Sequence, residues 1–220
     1  MAASVAAIFR AEFARHIAVA EATAVSLESI FLRLVTLAAA TLVSGSKLIF
    51  FGNGGSAADA QHLASEFSVR YRADRKALPA IALGADGVLL TAAGNDLGFE
   101  QVFARQIEAL GRPGDLAVAL STSGRSPNVI AGLRAARAAG LSAAALGGGD
   151  GGMLAGLADP VLLVPAEETC RIQEMHITLG HMLCAAIERE LGLGGTAAKP
   201  PLLRGPPAAG PSRHEADLLR

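Results

Sequence analysis

Two pairs of polar side chains sit at spacings that let them act together. His62 and Glu66 are four residues apart, so on a helix they share one face about one turn from each other. Gln173 and His181 are eight apart, which at 3.6 residues per turn offsets them by about 80° around a helix axis and lets both look toward one pocket. Imidazoles and carboxylates move protons near neutral pH, and both are metal donors. On spacing alone, however, the bland reading is favoured for each pair: a solvated i,i+4 contact for His62 and Glu66, and ordinary surface or core groups for Gln173 and His181. His176 lies about 140° around the axis from His181 and points elsewhere. We expect His16, His176 and His214 to be ordinary surface or core groups. Asp59, three before His62, either orients that ring or caps the helix start. Arg70, four beyond Glu66, is either a surface partner of Glu66 or a reach toward a substrate hydroxyl or phosphate.

Two loops add a binding chemistry. Gly52-Asn53-Gly54-Gly55-Ser56 follows an apolar run and opens a helical stretch, so its backbone can approach a ligand closely and present free N–H groups to a phosphate or polyol. Ser121-Thr122-Ser123-Gly124-Arg125-Ser126 follows another apolar run and precedes Pro127; its hydroxyls around a helix start make a neutral cup for a phosphate dianion. Neither loop continues into the Gly-Lys-Ser/Thr of a Walker loop. Gly52, Gly54 and Ala57 satisfy a Gly-x-Gly-x-x-Ala dinucleotide fingerprint, but the next apolar run ends in Gly84-Ala85 where a ribose-binding acid belongs.

The elements that must position these residues follow from the pattern of apolar runs. Short runs at 47–51, 78–83, 115–120, 141–146 and 159–164 alternate with helical stretches at 57–71, 87–93, 99–110, 127–139 and 169–191. Buried strands alternating with helices predict a parallel α/β sheet covered on both faces, and in such sheets ligands bind beyond the carboxyl ends of strands, where both loops lie. Before the first run, residues 2–45 read as two antiparallel helices, with Phe9, Phe13 and Ile17 at four-residue spacing. Residues 193–220 hold five of the ten prolines and four glycines and read as a disordered tail, with a short helix near 215–219. The expected organisation is one domain, 1–192, and a tail, 193–220.

Composition narrows the partners. Nineteen basic against twenty acidic residues, for a net charge of -1, exclude broad electrostatic binding of nucleic acid. Aromatics are 4% with no Trp and one Tyr, so no stacking platform for single strands is expected. No uninterrupted apolar run reaches the roughly 18 residues of a membrane span, and Arg10, Glu12 and Arg15 stand where a signal peptide would be apolar. Cys170 and Cys184, fourteen apart on one predicted helix, cannot bridge each other, which fits a reducing cytoplasm.

Several ordered motifs are together recognisable. Gly-Asn-Gly-Gly-Ser-Ala-Ala-Asp-Ala-Gln-His (52–62), Leu-Pro-Ala-Ile-Ala-Leu (78–83), Gly-Asn-Asp (94–96), Leu-Ser-Thr-Ser-Gly (120–124) and Arg-Ile-Gln-Glu-Met-His (171–176) resemble the sugar isomerase (SIS) domain family, from the later N-terminal helical stretch to residue 191. Within it they look most like the branch that acts on sedoheptulose 7-phosphate. The resemblance implies a three-layer αβα sandwich on a five-stranded, flavodoxin-like parallel sheet, preceded by N-terminal helices. It also implies a homotetramer with sites at subunit interfaces, and one zinc ion per subunit. Carried over position by position, His62, Glu66, Gln173 and His181 are metal-associated. Asn53, Gly54, Gly55, Ser56, Glu66, Asn95, Asp96, Ser121, Thr122, Ser123, Ser126 and Gln173 contact substrate.

The implied reaction converts sedoheptulose 7-phosphate to D-glycero-D-manno-heptose 7-phosphate through an enediol, with Glu66 as base and His181 as acid. Cys170 departs from relatives that carry Asp there, and Glu167 and Glu168 are the nearby carboxylates that could substitute. Two alternatives share the fold: an isomerase of another phosphosugar, and a non-catalytic regulator that associates with the bacterial replication initiator. Regulators of that kind lack the acid/base pair, so Glu66 and His181 favour the enzyme.

Overall fold

A computed structural model describes residues 4–193. Five strands form one parallel sheet: β1 (Leu48–Gly52), β2 (Ala80–Ala82), β3 (Leu116–Leu120), β4 (Ser142–Gly148) and β5 (Val161–Val164), in the order β2-β1-β3-β4-β5. Six helices accompany them: α1 (Val5–Val43), α2 (Gly55–Ser68), α3 (Gly87–Asp96), α4 (Val102–Leu110), α5 (Pro127–Ala138) and α6 (Thr169–Glu190). The predicted α/β class and parallel sheet are what the chain forms, with strand limits within a few residues of those read from the apolar runs.

Alternation along the strands divides the core in two. Leu48 and Phe50 of β1, with Leu116, Val118 and Leu120 of β3, pack under α1, α2 and α6. Ile49 and Phe51, with Ala117 and Ala119, pack under α3, α4 and α5. Both faces of the central strands are fully buried, which is why β1 and β3 read as unbroken apolar runs.

The strand order reverses direction between β1 and β3, and the crevice at such a switch point is where open parallel sheets bind ligands. Gly52 pairs in register with Leu120, so the glycine loop and the hydroxyl loop leave the sheet side by side. Gly52 must be glycine here, because a Cβ would lie 2.5 Å from the Leu120 carbonyl oxygen.

Two expectations are corrected. The N-terminal region is one 39-residue helix, not an antiparallel pair. Neither Gly nor Pro occurs between residues 5 and 43, so nothing breaks the helix, and α6 packs alongside it in the same direction, with Glu12 against Arg171 and His16 against Glu174. The stretch at 99–110 begins as a 3-10 turn, Phe99–Gln101, before α4. By length and composition alone α1 is long and apolar enough to cross a membrane, its most apolar 18 residues having a mean hydropathy of 1.6. Its second half is nonetheless a core helix, with Leu27, Phe31, Leu34, Val35 and Ala38 buried under the sheet. The expected tail lies outside the described residues beyond Leu193.

Candidate active site

The residues singled out on α2 and α6 converge, although 119 positions separate His62 from His181. Their Nε2 atoms are 2.9 Å apart, one ring donating and the other accepting, and the rings meet edge to face with centroids at 5.1 Å. Glu66, one turn on from His62 and largely buried, brings a carboxylate oxygen to 3.5 Å from the same His62 nitrogen. Close helix packing permits the meeting. Gly180 faces Leu63 of α2, and a Cβ there would stand 2.7 Å from Leu63 Cδ1, so any larger residue beside His181 would push the helices apart.

Gln173 joins the same cluster. Its carboxamide lies directly over Gly55, where an added Cβ would sit 2.6 Å from the Gln173 Cδ. The glycine loop and α6 therefore touch through an atom-for-atom fit that only glycine allows. Gly55→Ala is expected to fold normally, because the clash is with the far end of a flexible side chain, but to evict Gln173. We expect a loss approaching the about hundredfold that an ångström of misplacement costs. Steady-state kinetics of Gly55→Ala, Gln173→Ala and the double variant check this: the double should be no worse than Gln173→Ala alone.

Asp59 does not cap the helix. It sits inside α2, buried, with Oδ2 lacking a hydrogen-bond partner. Burial pushes its carboxyl above the ordinary range, against the lowering effect of the Gln173 amide and of nearby His62 and His181. It lines a cleft of about 250 Å³ with Cys170, Gln173, Glu174 and Ile177. Cys170 Sγ reaches toward the Glu168 carboxylate at 3.9 Å, and both residues are exposed at the start of α6.

The two loops are held rigidly. Asn53 and Asn128 exchange a reciprocal pair of amide hydrogen bonds at 2.8 Å each, tying the glycine loop to the first turn of α5. Ser121 is buried and its Oγ accepts from the Gly124 N–H at 3.1 Å. Gly124, at φ +62°, packs its backbone against Gly151 and Gly152, and its carbonyl accepts from the Met153 N–H at 2.9 Å. Ser126 is the N-cap of α5 but its hydroxyl makes no capping bond, and Pro127 starts the helix. The hydroxyls of Thr122, Ser123 and Ser126 thus surround a helix start, while Arg125 is engaged with Asp150 at 2.9 and 2.6 Å. That pairing holds the Asp150 carboxyl down at about 2 and leaves the cup to dipoles rather than a free cation.

Other candidates fall outside the cluster. Asn95 and Asp96 are exposed at the end of α3 and, among the described residues, their side chains hydrogen-bond only to each other. Arg70 is exposed and makes no ion pair with Glu66 among the described residues. His176 is fully buried, donates from Nε2 to the Gly147 carbonyl at 3.1 Å, and is pushed down to about 4 by burial, so it stays neutral. His16 pairs with Glu174 at 2.8 Å. Residues unmarked in the sequence reading also matter: Asn128, Arg75, Glu188 and Tyr71. Asn128 stands directly after the Ser-Pro start of α5, and none of the four carries a signal in the local sequence.

Metal binding is chemically reasonable here. Among the described residues no three His, Cys, Asp or Glu side chains already stand at mutual ligating distances. The two imidazole nitrogens at 2.9 Å need widen only to about 3.3 Å to take tetrahedral positions on an ion with zinc–nitrogen bonds of about 2.0–2.1 Å. Glu66 is next in line, and Gln173 offers an amide oxygen, an uncommon zinc ligand.

Comparison with known proteins agrees with the geometry. Residues 12–148 match the SIS domain family. A phosphoheptose isomerase of Paramagnetospirillum magneticum is 54% identical over 177 residues, covering 80% of this chain and 92% of its own. The solved phosphoheptose isomerase GmhA of Neisseria gonorrhoeae superposes with a TM-score of 0.80 at 40% identity, over 84% of this chain and 100% of that one. The enzyme from Francisella tularensis gives 0.82 at 33% identity, over 85% and 100%. With the switch-point loops, the convergent histidines and Glu66 in place, the chain belongs to the SIS domain family, in its phosphoheptose isomerase branch.

Proposed function

We propose that the protein converts sedoheptulose 7-phosphate to D-glycero-D-manno-heptose 7-phosphate. The observation that carries this reading is the convergence of Glu66, His62, His181 and Gln173 beside two ligand-binding loops at the switch point of the sheet. Ketose-to-aldose conversion needs a base that takes a proton from C1 and returns it to C2, and an acid that manages the two oxygens. Glu66, largely buried and adjacent to a histidine pair, suits the first task. His181, whose Nε2 faces the same space, suits the second. Thr122, Ser123, Ser126 and the backbone around them suit the 7-phosphate.

Zinc, one ion per subunit, would be held by His62, Glu66, Gln173 and His181. When bound it would polarise the substrate carbonyl. A coupled isomerase assay with and without a chelator tests activity and metal together. Turnover is expected to stop with the chelator and return with added zinc; no turnover with metal supplied would overturn the proposed reaction.

The phosphate assignment has its own test. Ser123→Ala is expected to raise KM about tenfold with little change in kcat, the cost of one hydrogen bond to a charged group. An equal loss on the dephosphorylated sugar would contradict it.

We further propose that the enzyme is a homotetramer with sites at subunit interfaces. Support comes from the first half of α1, whose Phe9, Phe13 and Ile17 are 63%, 54% and 52% exposed, and from the open site, where His62 is 46% exposed. A reducing cytoplasm suits its two free cysteines, one of them, Cys184, pushed up to about 12 by burial and inert.

A further inference from the structure

Acid catalysis by His181 requires one fixed ring orientation, and α6 alone does not fix it, since the side chain turns about two bonds. Two other rings border the imidazole. His62 meets it edge-on. Tyr71, the only tyrosine in the chain, lies nearly parallel to it, with an interplanar angle of 21° and centroids 5.5 Å apart. Tyr71 belongs to no helix or strand, so something else must hold its ring.

That holder is a buried ion pair. Glu188 stands seven residues beyond His181 on α6, about two turns along the same face. Its carboxylate accepts from the backbone N–H groups of Tyr71 at 3.3 Å, Arg72 at 3.3 Å and Ala73 at 3.1 Å, and from Arg75 Nε at 2.9 Å. The Arg75 side chain is 1% exposed and that of Glu188 7%. The same guanidinium donates to the carbonyls of Glu66 at 2.8 Å and Phe67 at 2.9 Å, the open end of α2. Arg72 completes the arrangement, its guanidinium 5.0 Å from the centre of the Tyr71 ring. One carboxylate therefore locks segment 71–75 to the helix carrying His181, and one guanidinium locks it to the helix carrying His62 and Glu66.

We propose that Tyr71 is a positioning residue: its ring face, set in place by the Glu188–Arg75 pair, holds the His181 imidazole in its working orientation. The hydroxyl takes no part. The inference rests on His181 acting as the acid, and the experiment separates the two ideas.

Tyr71→Leu keeps apolar bulk and removes the ring face; Tyr71→Phe keeps the face. With zinc in excess, Tyr71→Leu should lower kcat about tenfold to a hundredfold, as expected of a displaced catalytic group, with KM little changed, and Tyr71→Phe should restore wild-type kcat. In the His181→Gln background, Tyr71→Leu should add almost nothing, because both changes act through one group. Independently of activity, the His181 ring-proton resonance, identified by its absence from His181→Gln, should move in Tyr71→Leu but not in Tyr71→Phe. The proposal is overturned if Tyr71→Leu leaves kcat or that resonance unmoved, if Phe fails to restore, or if the Leu penalty persists in full without His181. Wild-type kcat in His181→Gln would instead remove the acid assignment itself.

Discussion

Glu66→Gln is expected to lower kcat by about two to four orders of magnitude while KM stays nearly unchanged. The substitution keeps the size and hydrogen-bonding reach of the side chain and removes only its capacity to take a proton. Glu66 is suited to the role because α2 places it one turn from His62, 3.5 Å from that imidazole, and largely shielded from water. Steady-state kinetics with the seven-carbon ketose phosphate give the rate, and uptake of solvent deuterium at C1 reports proton abstraction itself. Both should fall together. Surviving activity, or deuterium exchange that persists while net conversion stops, would move the base to another residue.

Breaking the Arg75–Glu188 pair should produce the largest loss of stability. Removing one partner of a buried pair leaves the other charged and unpaired, at a cost of about 3–5 kcal/mol, so Arg75→Ala and Glu188→Ala should each lower the denaturant midpoint sharply. Replacing both with apolar residues should not recover the loss. The N–H groups of Tyr71, Arg72 and Ala73 would then be stranded, at about 1–3 kcal/mol for each one that stays buried.

The pair also predicts a pH dependence. Burial alone would raise the Glu188 carboxyl, but the Ala73 N–H, Arg75 and the Tyr71 and Arg72 N–H groups outweigh it and hold the group below its ordinary value. A depressed carboxyl contributes stability that is present above its unfolded value, about 4.3, and is lost as pH falls through the folded value. The stability gap between wild type and Glu188→Gln should therefore be widest near neutrality and narrow below about pH 4. A gap that stays constant from pH 7 to about pH 3 would contradict this.

The parts of the molecule differ in how far local pattern reveals them. The central strands are legible because both faces of β1 and β3 are buried, leaving uninterrupted apolar runs. The loops after them are legible because glycine and hydroxyl residues are concentrated where chain reversal and helix initiation need them. The extent of α1 is harder to read: its apolar residues suggest two packed helices, whereas the absence of any breaker makes one, whose first half lies along the start of α6 through Glu12 and His16 and leaves Phe9, Phe13 and Ile17 exposed. Asp59 is similarly ambiguous, since an Asp near a helix start is a common cap and nothing local reveals that the side chain is buried inside the first turns of α2.

The amino-acid sequence by itself determined the α/β class, the two loops and the residue types capable of the chemistry, because strand and helix periodicities and turn chemistry are set by neighbours along the chain. Only the tertiary structure decided that His62 meets His181 across 119 positions, that Gln173 lies over Gly55, that Asn53 locks to Asn128, and that Tyr71 rests on His181 under the hold of Glu188 and Arg75. These contacts depend on how closely α2 and α6 approach, which is set by a glycine at position 180 against Leu63 and by a buried ion pair. Such distances are properties of packed surfaces, and no periodicity along the chain encodes them.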